Sequence, residues 1–147
     1  MFSTATASRS SNPFANVYRQ IGTETGVSGA SPHKLVAMLF DGYMDAVARA
    51  RGAMRAGDVQ AKGRAIGHAV RIVEEGLRAS LDMQAGGNLA RDLNDLYGYL
   101  TMRLTLANVR NDEAGLDEAQ ALMQPLREAW MSIADKAEAA TGGAARR

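Results

Sequence analysis

Four stretches of the chain repeat apolar side chains every three or four residues, and short turn signals separate them. Ser31-Pro32 opens the first: serine caps a helix, and proline at the first helical position gives up no needed N–H. Val36, Phe40, Tyr43, Val47, Ala50 and Met54 then recur at 4-3-4-3-4 spacing, widened by Leu35, Leu39 and Ala46. That is one face of an amphipathic helix running to about Arg55. Gly57 stops it, and Asp58 is placed to cap the next. The second helix carries Val59, Ile66, Val70, Val73, Leu77 and Leu81 and ends before Gln84. Asn88 is expected to cap the third, whose stripe is Leu89, Leu93, Leu96, Leu100, Leu104 and Ala107. Asn111 or Asp112 is expected to cap the fourth, with Leu116, Ala119, Met123, Leu126, Trp130 and Ile133 in 3-4-3-4-3 order.

No window alternates with period two, so no strand is expected. Helices of roughly 22–24 residues joined by short turns fold most simply as an all-α, antiparallel four-helix bundle. The stripes are its core. Residues 1–13, rich in Ser, Thr and Ala, read as a disordered N-terminal arm. Phe14, Val17, Tyr18 and Ile21 suit one or two helical turns with an apolar face. They are too few to fold alone, so this short segment is expected to pack on the bundle. A partner helix using the same groove could displace it. The bundle domain spans 14–135, and residues 136–147 read as a frayed tail. Gly42, Gly52, Gly63, Gly67, Gly76 and Gly98 fall inside helices, each at a cost of up to ~1 kcal/mol relative to Ala. Pro125 predicts a kink near 121–125.

Composition removes most enzyme chemistry. There is no cysteine and there are only two histidines, His33 and His68. Disulfides, thiolate metal sites and thiol nucleophiles are excluded, and a His-rich metal centre is disfavoured. No cofactor or metal is expected. Seventeen Lys+Arg offset sixteen Asp+Glu, a net charge of +1 that argues against a nucleic-acid binder. No apolar run approaches the ~20 residues of a membrane span, and the N-terminus lacks the apolar core of a secretory signal. A soluble interaction domain, fit for a reducing cytoplasm, is the reading that composition leaves.

Three smaller features bear on chemistry. His68 points away from the stripe through Ile66 and Val70, with Arg71 one turn on, as in histidine phosphotransfer bundles. Ile72 then stands where those domains place a small residue. A solvated surface histidine is the plainer reading. Asp41 and Asp45 share a helix face but lack the Glu-x-x-His partners of a di-iron site. Gly86-Gly87 is a turn without the Lys-Ser/Thr of a phosphate loop. A third alternative is a structural bundle that associates with itself through the same stripes.

Ala30-Ser31-Pro32-His33-Lys34-Leu35 followed by Met38-Leu39-Phe40-Asp41-Gly42 resembles the start of the flagellar secretion chaperone FliS family. The likeness continues through Gly57-Asp58, Ser80-Leu81-Asp82, Gly86-Gly87, Asn94 to Tyr99, Arg103-Leu104, Ala107-Asn108, Asn111-Asp112 and Ala129-Trp130. It covers about residues 15–135. The resemblance implies a cytoplasmic export chaperone without catalysis. Such a chaperone holds the C-terminal segment of flagellin, prevents its early polymerisation and presents it to the membrane protein of the export gate. By resemblance, Tyr18 and Ile21 engage client or export gate. The candidate partner-binding set is Val17, Tyr18, Ile21, Leu35, Leu39, Tyr43 and Tyr97. A homodimer is left open.

Overall fold

The computed structural model describes residues 31–145, with side chains described through residue 133. The N-terminal arm and the segment carrying Val17, Tyr18 and Ile21 lie outside the described residues. Four helical rods follow in chain order. They are α1 (Pro32–Ala56), α2 (Val59–Arg71), α3 (Gly87–Arg110) and α4 (Glu113–Ala145), with α2 continuing directly into a π-helical stretch, Ile72–Arg78.

The first turn chemistry is as the sequence dictates. Ser31 accepts from the Lys34 N–H at 3.1 Å, with Pro32 next to it. Gly57 closes α1 in the left-handed region at φ 73°, where a side chain would be strained. One residue later the Asp58 carboxylate accepts from the Ala61 N–H at 3.0 Å and starts α2. At the other turn Asn111 takes the left-handed position that ends α3, and Asp112 accepts from the Ala114 N–H at 3.1 Å.

Cross-helix bonds fix the topology. Arg55 pairs with Glu113, Arg51 with Asp117 at 3.0 Å, and Asp41 with Arg127 at 2.7 Å. Partners climb α4 as they descend α1, so the two run antiparallel. Lys62 with Asn108, and Arg78 with Asn94, show the same for α2 and α3. Each rod packs on its chain neighbours, and α4 closes the ring against α1. The core between them holds Leu39, Tyr43, Ile72, Leu100, Leu104, Leu116 and Met123, all fully buried. Lys62 is the one buried charge among the described residues. Its ammonium donates to the Asn108 carbonyl at 2.9 Å and to the Asn111 side chain, at the negative end of α3.

The α1 contact with the second rod is close because two glycines receive knobs. A Cβ on Gly42 would stand 3.2 Å from the Ile72 Cδ1, and one on Gly76 would stand 3.1 Å from both Leu39 methyls. Gly76 belongs to the π stretch, whose wider turn brings Ile72, Val73, Gly76 and Leu77 into the core together. A uniform α-helical stripe to Leu81 is therefore corrected: helix ends at Arg78, and Leu81 is half-buried in the loop beyond.

Three further expectations are corrected. Asn88 caps nothing. Helix α3 starts two residues earlier, at Gly87, without a side-chain cap, and Asn88 accepts from Arg91 instead. Val59, Leu89 and Ile133, expected in the core, are 68%, 67% and 51% exposed. Val59 and Leu89 stand in the first turn of their helices, at bundle ends where neighbouring rods give no cover. Finally, the helical backbone of α4 passes through Pro125 and on to Ala145, beyond the end expected near Ala134.

Candidate partner-binding surface

Helix α3 carries two apolar stripes. Ala90, Tyr97, Leu100, Leu104 and Ala107 are buried against the bundle. Tyr99, Met102, Leu106 and Val109 form a second series at 3-4-3 spacing. At about 100° per residue these four fall within about 80° of one another, opposite the buried stripe. Tyr99 is 37%, Met102 47% and Val109 75% exposed, and Leu106 is half-buried. The stripe runs for about 15 Å along the helix. The same frame continues toward the N-terminus through the exposed Asp95 and Asp92, and Arg110 stands exposed at the other end.

A chain of polar contacts holds this face in position. The Tyr99 hydroxyl donates to Glu118 Oε2 at 2.6 Å, and Arg103 Nε donates to Glu118 Oε1 at 2.7 Å. Arg103 also reaches Asp112 at 3.2 Å. The guanidinium lies over Gly115, where a Cβ would come within 2.6 Å of Nη1. The hydrogen bonds from Tyr99 and Arg103 hold the Glu118 carboxyl below the usual glutamate range, and the bond to Glu118 raises the Tyr99 phenol. The tyrosine ring is thus fixed by its polar tip and leaves a face to solvent. A surface like this does no bond chemistry. It offers a stiff apolar strip of the kind on which an amphipathic helix docks.

A second apolar area lies at the end of the bundle where α1 begins. Trp130 Nε1 donates to the His33 carbonyl at 2.9 Å, and its ring stacks on the His33 imidazole with centroids 5.4 Å apart. Ile133 stands exposed one turn along α4, and Met83 in the loop before α3 is 43% exposed.

The residues singled out from sequence fall in three places. Leu35 is half-buried in the first turns of α1. Leu39, Tyr43 and Tyr97 face the core. Leu39 fills the space over Gly76, and the Tyr43 hydroxyl donates to the Ala119 carbonyl of α4 at 3.0 Å. Burial pushes the Tyr97 phenol up to about 12 and moves that of Tyr43 further in the same direction. Val17, Tyr18 and Ile21 lie outside the described residues. The outer residues Tyr99, Met102, Leu106 and Val109 were not singled out, although their 3-4-3 spacing stands in the sequence beside the core stripe. His68 is half-buried rather than on an open face, and Arg71 pairs with Glu75 at 3.4 Å. Asp41 is committed to Arg127. Among the described residues no group of three His, Cys, Asp or Glu could hold a metal, and no helix is long and apolar enough to cross a membrane.

The family model described as flagellar protein FliS matches residues 14–137. The flagellar secretion chaperone FliS of Salmonella typhimurium is 45% identical over 120 residues, covering 82% of this chain and 89% of that one. Flagellar secretion chaperone FliSB of Pseudomonas aeruginosa is 42% identical over 116 residues, 79% of this chain and 91% of its own length. The Bacillus subtilis flagellar secretion chaperone FliS is 27% identical over 119 residues, 81% and 84% of the two chains.

Proposed function

The chain belongs to the FliS family of flagellar proteins, and on that premise we propose that it is an export chaperone for flagellin. In this reading it binds the C-terminal region of flagellin in the cytoplasm, keeps it from polymerising early and delivers it to the flagellar type III export apparatus. The observation that carries the reading is the outward apolar stripe Tyr99, Met102, Leu106 and Val109, which the bundle's own core does not use. A client segment laid on it as an amphipathic helix buries apolar area on both sides. The ordering of that segment costs conformational entropy, so affinity comes from a long wrapped surface rather than one contact. The exposed apolar residues at the Trp130 end extend the surface available for wrapping. Val17, Tyr18, Ile21 and Leu35 are proposed as further contacts to client or export gate. Leu39, Tyr43 and Tyr97 act from beneath, by fixing where α1 and α3 stand. The activity is binding, with no catalytic step.

The test is calorimetric titration of the full chain with a synthetic flagellin C-terminal peptide of about forty residues. A 1:1 complex of sub-micromolar affinity with a negative heat-capacity change is expected, the mark of coupled folding onto apolar surface. Met102→Glu is expected to weaken binding at least tenfold, and Tyr18→Ala less, with circular dichroism unchanged in both. No binding to folded protein would sink the client assignment. Full affinity in Met102→Glu would move the client off α3.

A further inference from the structure

Pro125 stands exposed inside α4, and it has no N–H to give the Ala121 carbonyl four residues back. Its ring also crowds that carbonyl, so α4 leaves a backbone acceptor open one turn before the proline. Ala121 is itself exposed, and it lines a cleft of about 320 Å³ with Asp117, Gln120 and Gln124. Asp117, Ala121 and Gln124 follow at i, i+4 and i+7, one stripe along the helix. Arg51 of α1 donates to Asp117 Oδ1 at 3.0 Å and to Gln120 Oε1, which leaves Asp117 Oδ2 without a bond. Gln124 Nε2 donates to Glu128 Oε2 at 3.0 Å, and the Gln124 amide oxygen is left open as well. Both amide orientations are dictated by a charged neighbour, a guanidinium in one case and a carboxylate in the other. Three acceptors therefore stand unused on one stripe, one of them charged. The Gln120 amide nitrogen is the one open side-chain donor beside them.

One carboxylate is little charge to hold a divalent ion, whereas a planar guanidinium carries five donors and serves several oxygens at once. We propose that this cleft on α4 binds an arginine side chain of the polypeptide that wraps the bundle, its guanidinium donating to Asp117 and to the Ala121 carbonyl that Pro125 frees. The source of the arginine rests on the proposed chaperone reading, and the chemistry of the cleft does not. Glu118, the residue after Asp117, accepts from the Tyr99 hydroxyl, while Asp117 accepts from Arg51. The head of the outer α3 stripe and the cleft thus lie at one level of α4, on opposite shoulders. A client segment that covers Tyr99 and continues over α4, about 10 Å across, meets the cleft next. A guanidinium seated there fixes the register of a segment that apolar contacts alone would let slide.

Amide chemical-shift titration of the full chain with N-acetyl-arginine methylamide tests the site, and the citrulline analogue, of similar shape without the charge, is the control. Saturable shifts at residues 117–124, in the millimolar range, are expected with the arginine compound only. Asp117→Asn keeps the shape and is expected to weaken that binding about tenfold, the worth of a charged hydrogen bond. Pro125→Ala returns a helical N–H to the Ala121 carbonyl, so it is expected to raise Tm and at the same time to weaken binding about threefold. A proline that only shapes the helix would move Tm alone. Equal shifts with citrulline, shifts confined to other parts of the bundle, or parent affinity in either variant would each overturn the proposal. The flagellin peptide, titrated by calorimetry, identifies the source, and Asp117→Asn is expected to weaken it too. Parent-like peptide affinity in a variant that has lost the arginine compound removes the client as the source. A peptide that binds no form of the chain removes the client reading and leaves the arginine site standing.

Discussion

Helices α1 and α3 are nearly the same length, 25 and 24 residues, and each buries one stripe in the same core. Their outward faces differ in kind. On α1 that face carries the exposed Asp41, Asp45, Ala48, Arg49, Gly52 and Arg55. Two of these reach sideways to α4, Asp41 to Arg127 and Arg55 to Glu113. On α3 it carries Tyr99, Met102, Leu106 and Val109. Packing a four-helix bundle requires one apolar stripe per helix, and α1 shows that the opposite face needs no large apolar side chain. The second stripe on α3 is therefore surplus to the fold, and the proposed client docking gives it a use.

The largest expected effect separates the two faces of α3 directly. Leu104 is fully buried and Met102, two residues away, is about half exposed. Leu104→Ala should cost about 2–5 kcal/mol and lower Tm by several degrees, through lost burial and the cavity left behind. Met102→Ala should change stability by less than about 0.5 kcal/mol. Urea denaturation of both variants decides it. Similar losses would mean that the outer stripe is part of the fold after all.

Next comes the seam between α1 and α4. Tyr43 is fully buried, and its hydroxyl donates to the Ala119 carbonyl. Tyr43→Phe keeps the ring and removes the bond, for an expected loss of about 0.5–1.5 kcal/mol by the same measurement. No loss would mean that the ring alone holds the seam, and that α1 owes its place to shape rather than to polar anchoring.

These contrasts also show what sequence could and could not reveal. Caps at Ser31, Asp58 and Asp112 were legible because each is a local rule of side chain to nearby N–H. The helical periods were legible because a core needs them. Local rules misassigned Asn88, where α3 starts on Gly87 without a side-chain cap. They also could not foresee the π stretch, where Ile72 packs toward Gly42 and Leu39 toward Gly76 across two helices. The partner set chosen from sequence drew Leu39, Tyr43 and Tyr97 from the inner stripes, which the core consumes. Spacing alone does not say which of two stripes on α3 faces inward. Only the positions of α2 and α4 decide that.

A smaller effect uses the open side of α1. A Cβ on Gly52 would meet nothing within 4 Å, whereas one on Gly76 would press on Leu39. Gly52→Ala should raise stability by up to about 1 kcal/mol, the helix propensity of alanine over glycine. Gly76→Ala should recover less, since Leu39 must shift. A larger gain at Gly76 than at Gly52 would show that the close α1 contact is not limiting.

The smallest expected effect lies in two half-exposed carboxylates, one serving each helix. Glu113 is held below the usual glutamate range first by its hydrogen bond from Arg55 of α1, and Glu118 first by that from Tyr99 and then Arg103 of α3. A carboxyl whose folded pKa is depressed stabilises the protein above its unfolded value, near 4.5, and that contribution fades as pH falls through the lower folded value. Stability measured by urea from pH 7 downward should thus be greater in the parent than in Glu118→Gln at neutral pH, with the curves converging below pH 4.5. Glu113→Gln should behave alike, because both groups are half-exposed and partly screened. The two differ in what else they hold. Glu118→Gln alone loosens the tyrosine at the head of the outer stripe, so it should also weaken peptide binding at neutral pH, and Glu113→Gln should not. Equal binding by both variants would show that the Tyr99 ring needs no fixing from α4, and that the stripe works through Met102, Leu106 and Val109.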